Sequence, residues 1–443
     1  MFENSKGFFC KTMILFIIIG FALRMIVGTL LTYNYDVFSW ALIISNIQEG
    51  SGLYDVTGYN YPPVWGYFLA VLGQFTNLLG MDVLAERFPD LIFTESEVAN
   101  NPHLAFTTTV SFNALVAFMM ALFDLITAYT IYIASKLIFH DERNGLIGAA
   151  VWMLCPFAIA VGAIGPMFDC LSGAIALICV ILLMKDQELL AGMLFAMSVF
   201  LKFFPAYLLF IFVAYIIVKH RDDFKKRILT AIIGAAIMSG VIMLPHILDG
   251  HLLDSFSFLI SRAEISNGPF GVLEQIGPVA FYLIAFVAEI LLAHHFIKKE
   301  HEDVDTDFLI YTFISAMITL MYPGTPQYVL FGAPLLVVAA FCVNPKYKIP
   351  LIVLMFGTTL FVLCSSTAEL TSIMEYTDLL SYDTWYSMNS WMMNTEIFGL
   401  NMFIILSTIG GIVQYLGILL VALIIGQRFL YKNQEFKVDE LHQ

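Results

Sequence analysis

Asp36 stands in Tyr-Asn-Tyr-Asp-Val-Phe-Ser-Trp (33–40), a few residues beyond a long apolar stretch and among aromatic neighbours. A carboxylate partly buried in such surroundings can be tuned as a general base. Asp169 closes Gly-Ala-Ile-Gly-Pro-Met-Phe-Asp (162–169), a turn between two apolar segments, where a helix cap and a ligand role are equally open. Lys202, in Leu-Lys-Phe-Phe-Pro-Ala-Tyr (201–207), interrupts an otherwise apolar run over 189–218. A cation there is costly unless it snorkels or meets an anion. Arg262 lies in Ser-Arg-Ala-Glu-Ile-Ser (261–266), and Gln327 and Tyr328 end the Pro- and Gly-broken turn 322–328. Tyr61 and Trp65 belong to Tyr-Pro-Pro-Val-Trp (61–65). One candidate base, two cations suited to phosphate and an aromatic rim can hold a lipid phosphate at headgroup level and transfer the group it carries. Composition does not say that this group is a sugar.

The elements that must position these residues are membrane helices. Of the 443 residues, 60% are hydrophobic and only 13% charged, about half the charge of an ordinary soluble domain. Apolar segments recur at 12–32, 61–80, 109–137, 146–164, 170–184, 189–201, 204–218, 229–246, 278–297, 308–322, 328–343, 350–366 and 400–427. The first is too long for a signal-peptide core and reads as a retained helix. Cytoplasmic loops collect Lys and Arg. If every segment except 61–80 crosses, with the N-terminus inside, 17 of the 21 cations lie on the cytoplasmic side. The exceptions are Arg24, Arg87, Lys202 and Arg262. Segment 61–80, which opens on two prolines and is rich in aromatics, then lies along the outer interface, as does a short apolar-spaced helix over 37–48. The expected fold is an all-α polytopic membrane protein of about twelve transmembrane helices, with interfacial helices in the first outer loop. Outer loops fall near 33–108, 247–277 and 367–399, so the chemistry-bearing residues gather on the outer face.

The remaining polar residues have plainer readings. Arg24, Asp124 and Glu289 are the clear intramembrane charges, and unpaired charges at such depth are expensive. Arg24 and Asp124 lie at comparable distances from the outer face and are expected to pair structurally. The six cysteines have no metal-ligand spacing and read as small core residues. His294 and His295, like the acidic run 300–307, read as polar residues at a cytoplasmic helix end. No metal site and no cofactor is assigned; a divalent cation is not indicated. The formal charge of −14 argues against a nucleic-acid partner.

The ordered set of motifs resembles the GT-C-fold glycosyltransferases that use polyprenyl- or dolichyl-phosphate sugars, and within them the multispanning mannosyl- and glucosyltransferases. The matching residues are Asp36; Gly-Ser-Gly-Leu-Tyr (50–54) with Tyr-Pro-Pro (61–63); Asp124 in Phe-Asp-Leu-Ile-Thr-Ala-Tyr; Gly-Pro-Met-Phe-Asp (165–169); Lys-Phe-Phe-Pro (202–205); and Pro-Gln-Tyr (326–328). The likeness spans roughly 36–334 and implies a GT-C-like catalytic module over 1–343. It implies too that the C-terminal helices of 344–443, with outer loop 367–399, belong to a region that varies with the acceptor. By the same resemblance Asp36 deprotonates the acceptor hydroxyl, and a hexose, mannose or glucose, is transferred with inversion. Lys202 and Arg262 neutralise the departing lipid phosphate, while Asp169, Tyr61, Trp65, Gln327 and Tyr328 line the substrate. Many members carry a paired acidic motif in the first loop. Here Asp36 is followed by Val and Phe, which argues against a metal there.

The implied partners are a polyprenyl- or dolichyl-phosphate sugar, a glycan or glycolipid acceptor and the bilayer. The implied setting is a prokaryotic plasma membrane or the endoplasmic reticulum, with the site extracytoplasmic or lumenal. A secondary transporter or lipid-linked substrate carrier is the competing class. It would show two related halves and broken helices at mid-membrane, whereas the intramembrane charges here do not recur at matching positions.

Overall fold

The computed structural model describes residues 7–55, 59, 61–86, 106–256, 272–320, 328–365 and 372–430. Arg262 and Gln327 lie outside the described residues.

Every apolar segment forms helix, as it must where lipid offers the backbone no hydrogen-bond partners. In chain order the first elements are α1 (Lys11–Leu30), α2 (Asn34–Gln48), α3 (Pro63–Leu79), strands β1 (Leu84–Glu86) and β2 (Phe106–Thr108), and α4 (Val110–Ile138). Next come α5 (Glu142–Leu154), α6 (Pro156–Ile164), α7 (Asp169–Met184), α8 (Glu188–Leu201), α9 (Phe204–Lys219) and α10 (Phe224–Leu248). The chain continues with α11 (Val272–Lys298), α12 (Val304–Leu320), α13 (Val329–Val343) and α14 (Lys348–Ser365). It ends with α15 (Ser372–Tyr376), α16 (Tyr382–Asn394), the hairpin β3 (Glu396–Ile397) and β4 (Leu400–Asn401), and α17 (Met402–Leu430). The fold is all-α and polytopic.

Among the described residues, six helical stretches are long and apolar enough to span a membrane: α1, α4, α10, Ala280–Lys298 of α11, Pro345–Cys364 and α17. α5 and α6 make a seventh if counted together, bent by 46° where Pro156 opens α6. Proline removes a backbone donor and pushes the preceding residue to extended geometry, which Cys155 adopts. α7, α8, α9 and α13 are shorter. α7 and α13 are buried almost throughout, packed against each other and against α4. α8 has 14 residues, about 21 Å at 1.5 Å per residue. That stops well short of a hydrocarbon core about 30 Å thick.

Close approach of α8 and α10 depends on glycine. A Cβ at Gly192 would lie 2.0 Å from the Ala231 carbonyl oxygen, and one at Gly234 the same distance from that of Leu189. Without a hydrophobic force between helices in lipid, such small-residue contact is what holds them together. α3 is two-sided. Val64, Trp65, Leu69 and Leu72 are buried, facing α2 and α8, while Val71, Phe75, Leu78 and Leu79 are exposed. Gly80, at φ +61°, ends it in a left-handed cap.

Deep in the bundle, Arg24 of α1 meets Asp124 of α4, Nε to Oδ2 at 2.6 Å, both fully buried. The guanidinium also donates to the carbonyls of Gly20, Met153 and Trp152. The Trp152 indole donates to Asp124 Oδ1 at 2.9 Å. The pair therefore ties α1, α4 and α5 together. Arg24→Leu leaves a buried carboxylate uncompensated and should cost about 3–5 kcal/mol. Arg24→Leu combined with Asp124→Leu should recover part of that loss. An Arg24→Leu single variant that melts with the wild type would remove this load from the pair.

At one end of the bundle, Asp186, Glu188 and His220 bring ligand atoms within 4.8 Å of one another. Arg227 reaches Glu188, and Lys219 lies 3.5 Å from Asp186, so side-chain cations already neutralise these carboxylates. Glu289 is fully buried in α11. All six cysteines are free thiols.

Candidate active site

Lys202 follows the last residue of α8 in extended geometry, its amide donating to the Ser198 carbonyl at 3.0 Å. Its side chain is nearly enclosed, with Nζ 3.4 Å from Asp169 Oδ2. Three rings face the ammonium, with centroids at 4.8 Å for Phe168 and 5.6 Å for both Tyr61 and Tyr328. Cation–π attraction and the carboxylate thus stabilise a charge that the surrounding apolar helices would otherwise penalise. Asp169 opens α7, where the helix dipole favours an anion.

The cage is backed by stacked aromatics. Trp65 of α3 lies flat on Phe168 at 3.9 Å and 12°, and Trp40 of α2 meets Trp65 edge-on at 4.8 Å. Phe204, at the start of α9, packs on Tyr328 at 4.5 Å. Asp36 sits in the first turn of α2, partly buried, one turn before Trp40. The Tyr33 amide donates to the Ile164 carbonyl at 2.8 Å, so the entry to α2 is pinned beside the turn that leads to Phe168 and Asp169.

Five of the residues picked out from the sequence thus come together: Tyr61, Trp65, Asp169, Lys202 and Tyr328. Asp36 stands on the adjoining helix. Two further members of the cluster, Phe168 and Trp40, carry no functional signal in the sequence. Their types signal only packing; it takes the folding of α2 and α3 back over the 165–169 turn to bring them in.

A second polar seam fastens the first loop to the far end of α10. Tyr67 donates to the Ile242 carbonyl at 2.6 Å and meets His246 Nε2 at 3.0 Å. His251 bridges Asp55 at 3.0 Å and Asp254 at 2.7 Å. The Asp254 hydrogen bond and neighbouring carboxylates raise the His251 imidazole above its ordinary value. Burial pushes the phenols of Tyr54 and Tyr59 up, so both stay protonated donors; Tyr59 donates to the Pro62 carbonyl at 2.7 Å.

The profile of the ALG6, ALG8 glycosyltransferase family matches residues 30–262, just over half of the chain, and the chain belongs to that family. No curated protein matches the chain. The match covers α2 through α10 and so takes in Asp36, Tyr61, Trp65, Asp169 and Lys202. The protein is therefore a membrane glycosyltransferase.

Proposed function

We propose that this glycosyltransferase takes a hexose, glucose or mannose, from a polyprenyl- or dolichyl-phosphate donor and adds it to a lipid-linked glycan on the extracytoplasmic face. The observation that carries the reading is the aromatic cage around the Lys202–Asp169 pair, set beside the helix that presents Asp36. A recessed cation at the end of a short helix lies at the depth of a lipid phosphate, and flat aromatic faces suit a sugar ring. Asp36 accepts the proton of the acceptor hydroxyl. The acceptor oxygen attacks the anomeric carbon opposite the phosphate, the anomeric carbon–oxygen bond breaks, and polyprenyl phosphate leaves with the electron pair. Attack from the opposite face inverts the configuration. Lys202, together with Arg262, stabilises the charge that develops on the leaving phosphate. Tyr61, Trp65, Asp169, Gln327 and Tyr328 line the sugar. The catalytic module is then 1–343, and acceptor choice falls to 344–443.

The direct test uses the purified protein in nanodiscs with synthetic polyprenyl-phosphate glucose and mannose and a lipid-linked oligosaccharide fraction. Transfer of one hexose, with the anomeric configuration of the product opposite to that of the donor, is expected. Retained configuration would refute the single displacement. Failure to bind either donor would bring the carrier reading forward.

Sidedness rests on the distribution of the cations. In a cysteine-free background, in sealed vesicles whose extracytoplasmic or lumenal leaflet faces the medium, Asp82→Cys should react with an impermeant thiol reagent and Asp222→Cys only after permeabilisation. Both positions are exposed. The reverse pattern would turn the site to the cytoplasm.

A further inference from the structure

Asn34 is the first residue of α2 and is fully buried. Its Oδ1 accepts from the Thr108 amide at 3.3 Å, and its Nδ2 donates to the Phe106 carbonyl at 3.3 Å. The start of α2 is thereby clipped to strand β2, which pairs antiparallel with β1. The chain of bonds runs on from Thr108. Its Oγ1 donates to Asn113 Oδ1 at 2.6 Å, and Asn113 Nδ2 donates to Ser372 Oγ at 3.2 Å. Tyr376 closes the network by donating its hydroxyl to the Thr108 carbonyl at 3.0 Å.

Asn34, Thr108, Asn113 and Ser372 are all buried to within one percent. Polar groups so deeply withdrawn are costly unless satisfied, and a satisfied chain of them fixes one arrangement. Ser372 and Tyr376 belong to α15, outside the family-matched residues 30–262. The short helix in the outer loop between α14 and α17 is thus bonded into the footing of α2. Asp36 stands two residues beyond Asn34, within the same first turn, so whatever fixes Asn34 fixes the direction of the carboxylate.

We propose that Asn34, Thr108, Asn113, Ser372 and Tyr376 are positioning residues for Asp36, and that Ser372–Tyr376 thereby couples the C-terminal outer loop to the transfer step. The inference rests on the reading of Asp36 as the base. It is separable from that reading, because the variant that probes it does not touch Asp36.

Tyr376→Phe is the cleanest probe, since it deletes one hydroxyl at a half-buried ring and leaves the apolar contacts. A catalytic group displaced by a fraction of an ångström loses turnover without losing substrate affinity. Turnover of the full chain with polyprenyl-phosphate glucose or mannose should fall between about threefold and thirtyfold. Donor KM and melting temperature should stay at wild-type values. Ser372→Ala should lower turnover to a similar degree without raising donor KM, with some loss of melting temperature because buried Asn113 loses its acceptor, and Tyr376→Phe combined with Ser372→Ala should lose less turnover than the product of the two single effects, because both act through one network. Unchanged turnover, a loss confined to KM or to melting temperature, or fully multiplicative effects would each overturn the proposal. If Asp36→Asn keeps wild-type turnover, the base reading fails on its own account, and a Tyr376→Phe defect would then belong to another group.

Discussion

Asp36→Asn should abolish most turnover, by on the order of a hundredfold or more, while the protein folds and binds donor as before. The substitution keeps the shape and removes only the proton acceptor. In the first turn of α2 the helix dipole favours a carboxylate by about 1 kcal/mol at most. The helix itself is held by other groups: Asn34 clips its first residue to β2, and Val37, Trp40 and Ile44 bury its inner face. A fall in turnover at an unchanged melting temperature is then a loss of chemistry, not of folded protein. The measurement is turnover of purified protein alongside donor binding and melting temperature. Near-wild-type turnover with intact folding would take Asp36 out of the mechanism.

Most of the scaffold was legible because lipid permits so few solutions. Thirteen apolar segments became helices at nearly their expected bounds, since an unsatisfied backbone in hydrocarbon has no alternative. The meeting of Arg24 and Asp124 followed from energetics of the same kind: two charges in apolar helices at similar depth have few other ways to be neutralised. The side-by-side placement of Asp169 and Lys202 did not follow. Asp169 in its turn reads equally as a cap or a ligand and Lys202 as a cation in need of an anion, and only the antiparallel packing of α7 on α8 brings them to 3.4 Å. Trp40 and Phe168 were hidden in a sequence that is 15% aromatic, where one ring more or less carries no signal. The Asn34 network was beyond reach for another reason. Its members are short polar residues scattered from 34 to 376, joined by backbone geometry that no spacing rule encodes.

That pairing changes what the decisive experiment on Lys202 must be. Lys202→Met deletes the charge and keeps much of the chain length, and donor affinity should fall by about tenfold to a hundredfold, the worth of one or two charge-assisted hydrogen bonds to phosphate. Yet the same change strips the buried Asp169 of the cation 3.4 Å away, so lost binding alone would be ambiguous. Lys202→Met should also lower thermal stability, because an unneutralised buried carboxylate is costly. Adding Asp169→Asn removes that charge, and the Lys202→Met, Asp169→Asn pair should regain stability toward wild type. If Lys202 holds the donor phosphate, the double variant stays impaired in binding polyprenyl-phosphate hexose, and Lys202→Arg, which keeps a cation in the aromatic cage, loses less than Lys202→Met. If Lys202 serves only to neutralise Asp169, the double variant recovers binding along with stability. That recovery would dismiss the phosphate assignment and leave the Lys202–Asp169 pair as a strut between α7 and α8.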